Sequence, residues 1–217
     1  MIALYQDAAK AFPVTGSGDP VGAIVLTGGT ITEFAQTTAA NRPIYRTDGT
    51  YGWLEFNGLS QWLEASHAQL AYPYTMAVAA EASNPGQNGA VLSLFGVDAG
   101  HQILSRPGNL WTLGTWNRSQ QYEELFVSAV AGSPHVLLGQ ATSVELRVSV
   151  DGGADSTEPN ATPHGTVTKL ILGQRGDDKN FYFGRIFGAV FINRLLTEGE
   201  KGDVRAKLAS ASGATLI

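Results

Sequence analysis

Apolar and polar residues alternate in short runs along most of the chain, and the runs are cut by Gly, Pro, Asn and Asp. Alternation with a period of two puts successive side chains on opposite faces of a strand. Residues 42–63, RPIYRTDGTYGWLEFNGLSQWL, show how the runs are joined. Pro43 holds Arg42 extended. Asp48-Gly49 and Asn57-Gly58 are turn dipeptides. Between them Trp53 and Glu55 face one way, Leu54 and Phe56 the other. Two tight turns around one strand predict a corner of a β-sandwich.

The same pattern predicts further strands. In residues 74–81, Tyr74, Met76, Val78 and Ala80 alternate with Thr75, Ala77, Ala79 and Glu81. Residues 90–95 form another strand, and 101–105 and 110–116 a hairpin around Arg106-Pro107-Gly108-Asn109. Strands at 124–131, 135–139 and 166–172 follow. The cleanest alternation spans 143–150, with Val144, Leu146, Val148 and Val150 on one side. Residues 183–193 are apolar on both faces, Ile186, Val190 and Ile192 against Phe187, Ala189 and Phe191, which predicts a central strand. Gly28-Gly29 and Asn84-Pro85 read as turn and loop, and residues 155–165, with Pro159 and Pro163, as a long polar loop. Thr197-Glu198-Gly199-Glu200 is a capping box that starts a helix. Val204 and Leu208 share a face of that helix, and Gly213 ends it.

The pattern therefore predicts an all-β sandwich of antiparallel strands with one short C-terminal helix. Residues 1–22 read as an N-terminal arm or edge strand and 23–217 as a single domain. With 217 residues, 26 glycines and 15% charged residues, composition agrees with many short strands joined by turns. The net charge of −5, without a Lys/Arg cluster, argues against nucleic acid or an anionic membrane surface as partner. The absence of cysteine rules out disulfides and thiolate zinc sites. No signal pattern and no run of roughly 18 apolar residues is present, so synthesis in a cytoplasm without membrane insertion is expected.

The series Arg42, Pro43, Tyr45, Asp48, Gly49, Trp53, Glu55, Phe56, Asn57, Gly58 and Leu63 resembles concanavalin A-like, LamG-type jelly-roll modules, in the form found in bacteriophage and prophage structural genes. Residues 4–22 (LYQDAAKAFPVTGSGDPVG) are similar to their opening, and 184–200 (GRIFGAVFINRLLTEGE) to their closing strand and helix start. The phage copies follow Pro-Val-Gly with a Trp and an Asp-Lys-Ser-Gly turn. Here residues 23–30 carry no acid, so no role of that turn transfers. The resemblance implies a two-sheet antiparallel jelly-roll sandwich, with 23–217 as a single jelly-roll domain, and a virion component (capsid decoration, head-fibre or tail-fibre module). It implies other virion proteins and host cell-surface glycan as partners, and a homo-oligomer, a trimer by family expectation.

Candidate chemistry is sparse. A retaining glycosidase needs two carboxyl groups about 5–5.5 Å apart, yet no Glu-x-Asp-x-Glu run occurs. Glu123 and Glu124 are adjacent and point to opposite faces, and Asp177-Asp178 sits in a turn-like GDDKN. Asp151, Asp155 and Glu158 superficially suggest a calcium loop, but their spacing is not that of an EF-hand, and a solvated turn is the preferred reading. His67, His101, His135 and His164 are scattered, so no zinc site is expected. No cofactor and no catalytic residue is assigned. Aromatic residues near turns and strand ends are the remaining candidates, since sugar rings stack on aromatic faces. Trp111, Trp116, Tyr122 and Tyr72 are taken as ligand or interface residues, while Trp53 and Trp62 read as core or core rim. The expected function is non-enzymatic, a lectin-like virion protein. The alternatives are a glycoside hydrolase or lyase on the same scaffold and a stand-alone carbohydrate-binding lectin.

Overall fold

The computed structural model of the chain describes residues 2–26, 31–83, 86–96, 99–117, 122–130, 132–160, 167–177 and 179–217. Gly28-Gly29, Asn84-Pro85, Asp178, Pro163 and His164 lie outside the described residues, as do the end residues Ala131 and Thr166 of two predicted strands.

The strands, in chain order, begin with β1 (Ile2–Tyr5), β2 (Ala23–Leu26), β3 (Glu33–Ala35), β4 (Ile44–Thr47), β5 (Gly52–Asn57) and β6 (Leu63–Leu70). Then come β7 (Tyr74–Ala82), β8 (Gly89–Gly96), β9 (Ala99–Arg106), β10 (Leu110–Asn117) and β11 (Tyr122–Ser128). The last are β12 (His135–Ala141), β13 (Glu145–Val150), β14 (Ser156–Pro159), β15 (Val167–Leu172) and β16 (Phe183–Ile192), before helix α1 (Glu198–Ser212). They form two antiparallel sheets. One has nine strands in the order β1-β2-β3-β6-β15-β8-β9-β10-β11, the other seven in the order β14-β13-β12-β7-β16-β5-β4. This is the expected jelly-roll sandwich with a C-terminal helix.

Residues 42–63 make the expected corner. Asp48 Oδ1 accepts from the backbone N–H of Thr50 and Tyr51, each at 2.8 Å, closing the β4–β5 hairpin. Asn57 Oδ1 accepts from Leu59 (2.9 Å) and Ser60 (3.0 Å), and there the chain leaves one sheet for β6 of the other. Leu54 and Phe56 are buried between the sheets, as their alternation requires.

Three expectations need correction. Residues 143–150 pair only from Glu145, and Val144 is 71% exposed. Thr142 Oγ1 accepts from the N–H groups of Val144 (3.2 Å) and Glu145 (2.9 Å), so a side-chain turn takes the place of the first ladder bonds. Residues 155–165 are not wholly loop, because Ser156–Pro159 pairs with β13 as the edge strand of its sheet, where a proline costs no ladder bond. Finally, β16 is central, between β7 and β5, but a β-bulge between Ile186 and Gly188 changes the parity of its faces. Ile186 and Phe191 pack into the inter-sheet core, whereas Phe187 and Val190 pack on the helix side.

Helix α1 covers the outer face of the seven-stranded sheet. Its capping box is complete, with Thr197 and Glu200 each bonding the other's backbone N–H. Gly213, at φ 75°, closes the far end with its N–H on the Ala209 carbonyl at 2.8 Å. Leu208 and Val204 rest on Ala77, Ala79, Val136 and Leu138, and burying such a side chain contributes roughly 1.5–3 kcal/mol. Lys201, 1% exposed, ties the helix to the sheet through Asp155 at 2.7 Å and is also paired with Glu198 at 2.8 Å. Arg205 Nη2 donates to Ser149 Oγ at 2.6 Å.

Candidate functional site

The outer face of the nine-stranded sheet has no helix over it among the described residues, and its β9-β10-β11 end gathers aromatic and hydrogen-bonding groups. Register places them there. Trp116 is paired with Gly100 on one side and Tyr122 on the other, and Gly114 with Gln102 and Glu124. Two glycines make the floor. A Cβ on Gly100 would fall 2.0 Å from Trp116 Nε1, so the indole lies directly on that backbone. A Cβ on Gly114 would fall 3.0 Å from the Tyr122 hydroxyl, which lies over it in the same way. Phe95 sits beside Trp116 with ring centroids 5.6 Å apart. Gly176, in the connection between β15 and β16, closes against Phe95 and Ile171 and forms a wall.

A polar network fixes the remaining side chains. Arg106 Nη2 donates to the Tyr122 hydroxyl at 2.6 Å, and its Nε donates to Glu124. The guanidinium also lies 5.9 Å from the Tyr122 ring centre. Thr112 Oγ1 donates to Glu124 Oε1 at 2.9 Å. Gln102, 1% exposed, donates to the Tyr122 hydroxyl at 3.4 Å, and its Oε1 is buried with no partner among the described residues. Either orientation of that amide leaves one polar atom unmatched, and an unmatched buried polar group costs about 1–3 kcal/mol. Burial, then the charge of Glu124, pushes the Tyr122 phenol up to about 12 against the opposing pull of Arg106. The phenol is thus a neutral hydrogen-bonding group at ordinary pH, and its ring remains 41% exposed. A half-buried indole, an exposed phenol and a fixed Arg–Glu pair can hold a flat, hydroxyl-bearing ligand. The ligand's C–H face would meet the rings and its oxygens the polar rim.

Of the four predicted site residues, the structure brings two together, Trp116 and Tyr122. Trp111 is 4% exposed and belongs to the core, because in a strand residues 111 and 116 have opposite parity. Tyr72 lies apart, inside one end of the sandwich, stacked on Tyr74 at 5.6 Å and edge-on to His101 at 5.3 Å. Its hydroxyl accepts from Asn160 Nδ2 at 2.8 Å, and burial pushes its phenol up to about 12 despite that bond. Two of the three suggested calcium carboxylates are engaged elsewhere. Asp151 holds His135 Nδ1 at 2.6 Å and the Val136 N–H at 2.8 Å, and Asp155 holds Lys201. Among the described residues no cluster of His, Asp and Glu is arranged to hold a metal. Sequence reasoning missed Gly100, Gln102, Arg106, Gly114 and Glu124. The register of two consecutive hairpins was the signal that could have found them.

No protein-family model matches the chain, and no curated protein matches it. Solved structures do. The native heptameric SAP-like pentraxin from Limulus polyphemus superposes with a TM-score of 0.56 at 12% identity, over 78% of this chain and 85% of the pentraxin. The CBM40 of the Ruminococcus gnavus IT-sialidase, bound to α2,3-sialyllactose, gives 0.53 at 12% identity, over 64% of this chain and 84% of its own. The binding domain of botulinum neurotoxin serotype G gives 0.61 at 11% identity, over 97% of this chain and 51% of that one. The protein thus has a concanavalin-like jelly-roll fold, the sandwich shared by these lectin-like, carbohydrate-binding-module and pentraxin structures.

Proposed function

We propose that the protein is a non-enzymatic, lectin-like module that binds glycan on the outer face of its nine-stranded sheet. The observation that carries this reading is Trp116 packed against Gly100 beside the Tyr122–Arg106–Glu124 network. The fold is shared with a CBM40 solved with sialyllactose and with neurotoxin receptor-binding domains, which supports the class of ligand. A hydrolase reading is less favoured. Glu124 is held by Arg106 and Thr112. Asp177, next to the wall residue Gly176, is likewise held, accepting from Arg175 Nε at 2.9 Å.

The resemblance of residues 4–22, 42–63 and 184–200 to phage modules supports a finer reading, in which the module decorates a bacteriophage particle as a capsid, head-fibre or tail-fibre component. The two levels are tested separately. On a glycan array the wild-type protein should bind a defined set of sugars, and the Trp116→Ala/Tyr122→Ala double variant should lose them while folded. Equal binding by that variant would dispose of the glycan face. Co-sedimentation of the protein with phage particles from an induced lysate tests the virion role, and its absence from purified particles would remove that role alone.

A further inference from the structure

The seven-stranded sheet is split at its middle. β16 pairs with β5 only where Phe183–Ile186 faces Asn57–Leu54. Past the bulge at Phe187, β16 continues on β7 alone among the described residues. Ala189 is directed between the sheets, opposite the buried Val78, and yet it is exposed. The gap between the two strands leads into a cleft of about 530 Å³.

The walls of the cleft are mainly hydrocarbon, with Tyr45, His67 and Asn193 as polar residues among them. Ile24, Phe34, Leu170 and Leu172 come from the nine-stranded sheet, and Leu54 and Ile186 from the other. The strands β1, β2, β3, β6, β15 and β8 all contribute and are consecutive in their sheet. At roughly 4.8 Å per strand the cleft therefore runs about 24 Å across them. At the split stands Trp53, whose indole N–H is buried without a hydrogen-bond partner among the described residues. Arg185 lies 4.9 Å over the Trp53 ring.

We propose that this cleft binds the hydrocarbon tail of a long-chain fatty acyl compound, with the polar head of the ligand left at the mouth. An elongated, apolar space suits a polymethylene chain. A sugar or nucleotide would leave its hydroxyls or phosphates unmatched against these walls. The polar residues that also line the cleft, His67 and Asn193 among them, can meet the head of such a ligand. The site is separate from the glycan face, so the two proposals can fail independently.

The test uses the purified full chain, with palmitate as one probe and palmitoyl-lysophosphatidylcholine as the other, followed by tryptophan emission and native mass spectrometry. Saturable uptake of one acyl chain per protein is expected, with octanoate binding more weakly than palmitate. Ala189→Phe adds bulk at an exposed position that lines the cleft, and should weaken uptake by about tenfold or more, the equivalent of one lost well-packed contact. Trp53→Phe, which keeps an aromatic ring at the split, should leave uptake saturable and remove most of the emission change. Binding of the lysolipid but not of palmitate would identify the ligand as a lipid ester, and the reverse as the free acid. No saturable uptake of either probe by folded wild-type protein, or uptake unchanged in folded Ala189→Phe, would overturn the proposal.

Discussion

The two outer faces of this sandwich have gone opposite ways. On the seven-stranded sheet the outward positions are small and apolar, Ala77 and Ala79 on β7, and α1 lies on them closely enough that a Cβ at Gly188 would sit 2.9 Å from Leu208. On the nine-stranded sheet the outward positions of β9–β11 include Gln102, Arg106, Thr112, Tyr122 and Glu124, joined by hydrogen bonds, with Trp116 and the exposed Phe126 beside them. Both faces use glycines and both contain buried charge. The difference is what the charge serves. Lys201–Asp155 fastens a helix, so that face is spent on stability. Arg106–Glu124 fixes a phenol beside an indole, so that face is held ready for something outside the chain.

Substitutions should separate the faces, and the largest effect belongs to the layer between them. Val148→Asp places an unpaired charge at a fully buried site and should cost more than about 4 kcal/mol. Circular dichroism of the variant should show loss of the fold, taking both faces with it. Leu208→Ala strips the helix side and should cost about 2–5 kcal/mol, read as a lowered urea midpoint with unchanged sugar affinity.

Lys201→Met should cost about 3 kcal/mol, the low end for breaking a buried pair, because Arg205 still faces Asp155 at 3.5 Å, and the loss depends on pH. Burial pushes the Asp155 carboxyl up, but its hydrogen bond and charge interaction with Lys201, helped by Ser149 and Arg205, prevail and hold it below 3.8. The stability gained from a depressed carboxyl is fully present above that ordinary value and is lost as pH falls through the lower, folded one. Wild type and variant should therefore differ in urea at pH 7 and converge in acid below 3.8.

On the open face, Gly100→Ala drives a methyl into the Trp116 indole. It should weaken glycan binding about tenfold, some 1.4 kcal/mol, although Trp116 itself is untouched. Calorimetric titration would measure the loss, and full binding would mean that the indole's position over Gly100 is irrelevant. The smallest effect is expected from Tyr122→Phe, about 0.5–1.5 kcal/mol for one hydrogen bond. With the phenol held near 12, its share of affinity should not vary between pH 6 and about 9.

Much of this contrast could be read along the chain. Alternation located most strands, the Asp48-Gly49 and Asn57-Gly58 turns marked the corner, and the Thr197–Glu200 box marked the helix start. These signals are local, carried by the residues that make the contact. What escaped depends on pairing. Glu33–Ala35 is too short to alternate visibly, and Ser156–Pro159 became a strand because β13 offered it an edge. Trp111 and Trp116 look alike in composition and are told apart by parity and by which side Leu113 packs. Gly100 and Gly114 are identifiable only once neighbouring strands are in register, since their contribution is an absent side chain.

The bulge at Phe187 leaves an economy of its own. Residues beyond it already point as they would if that residue were missing, with Ala189 and Phe191 inward and Gly188 and Val190 toward the helix. Excising Phe187 would thus preserve every later orientation while giving the strand back its even step. Beside β5 only Trp53 and Gly52 would remain for the shortened strand to meet, so the opening between the two strands would persist past them.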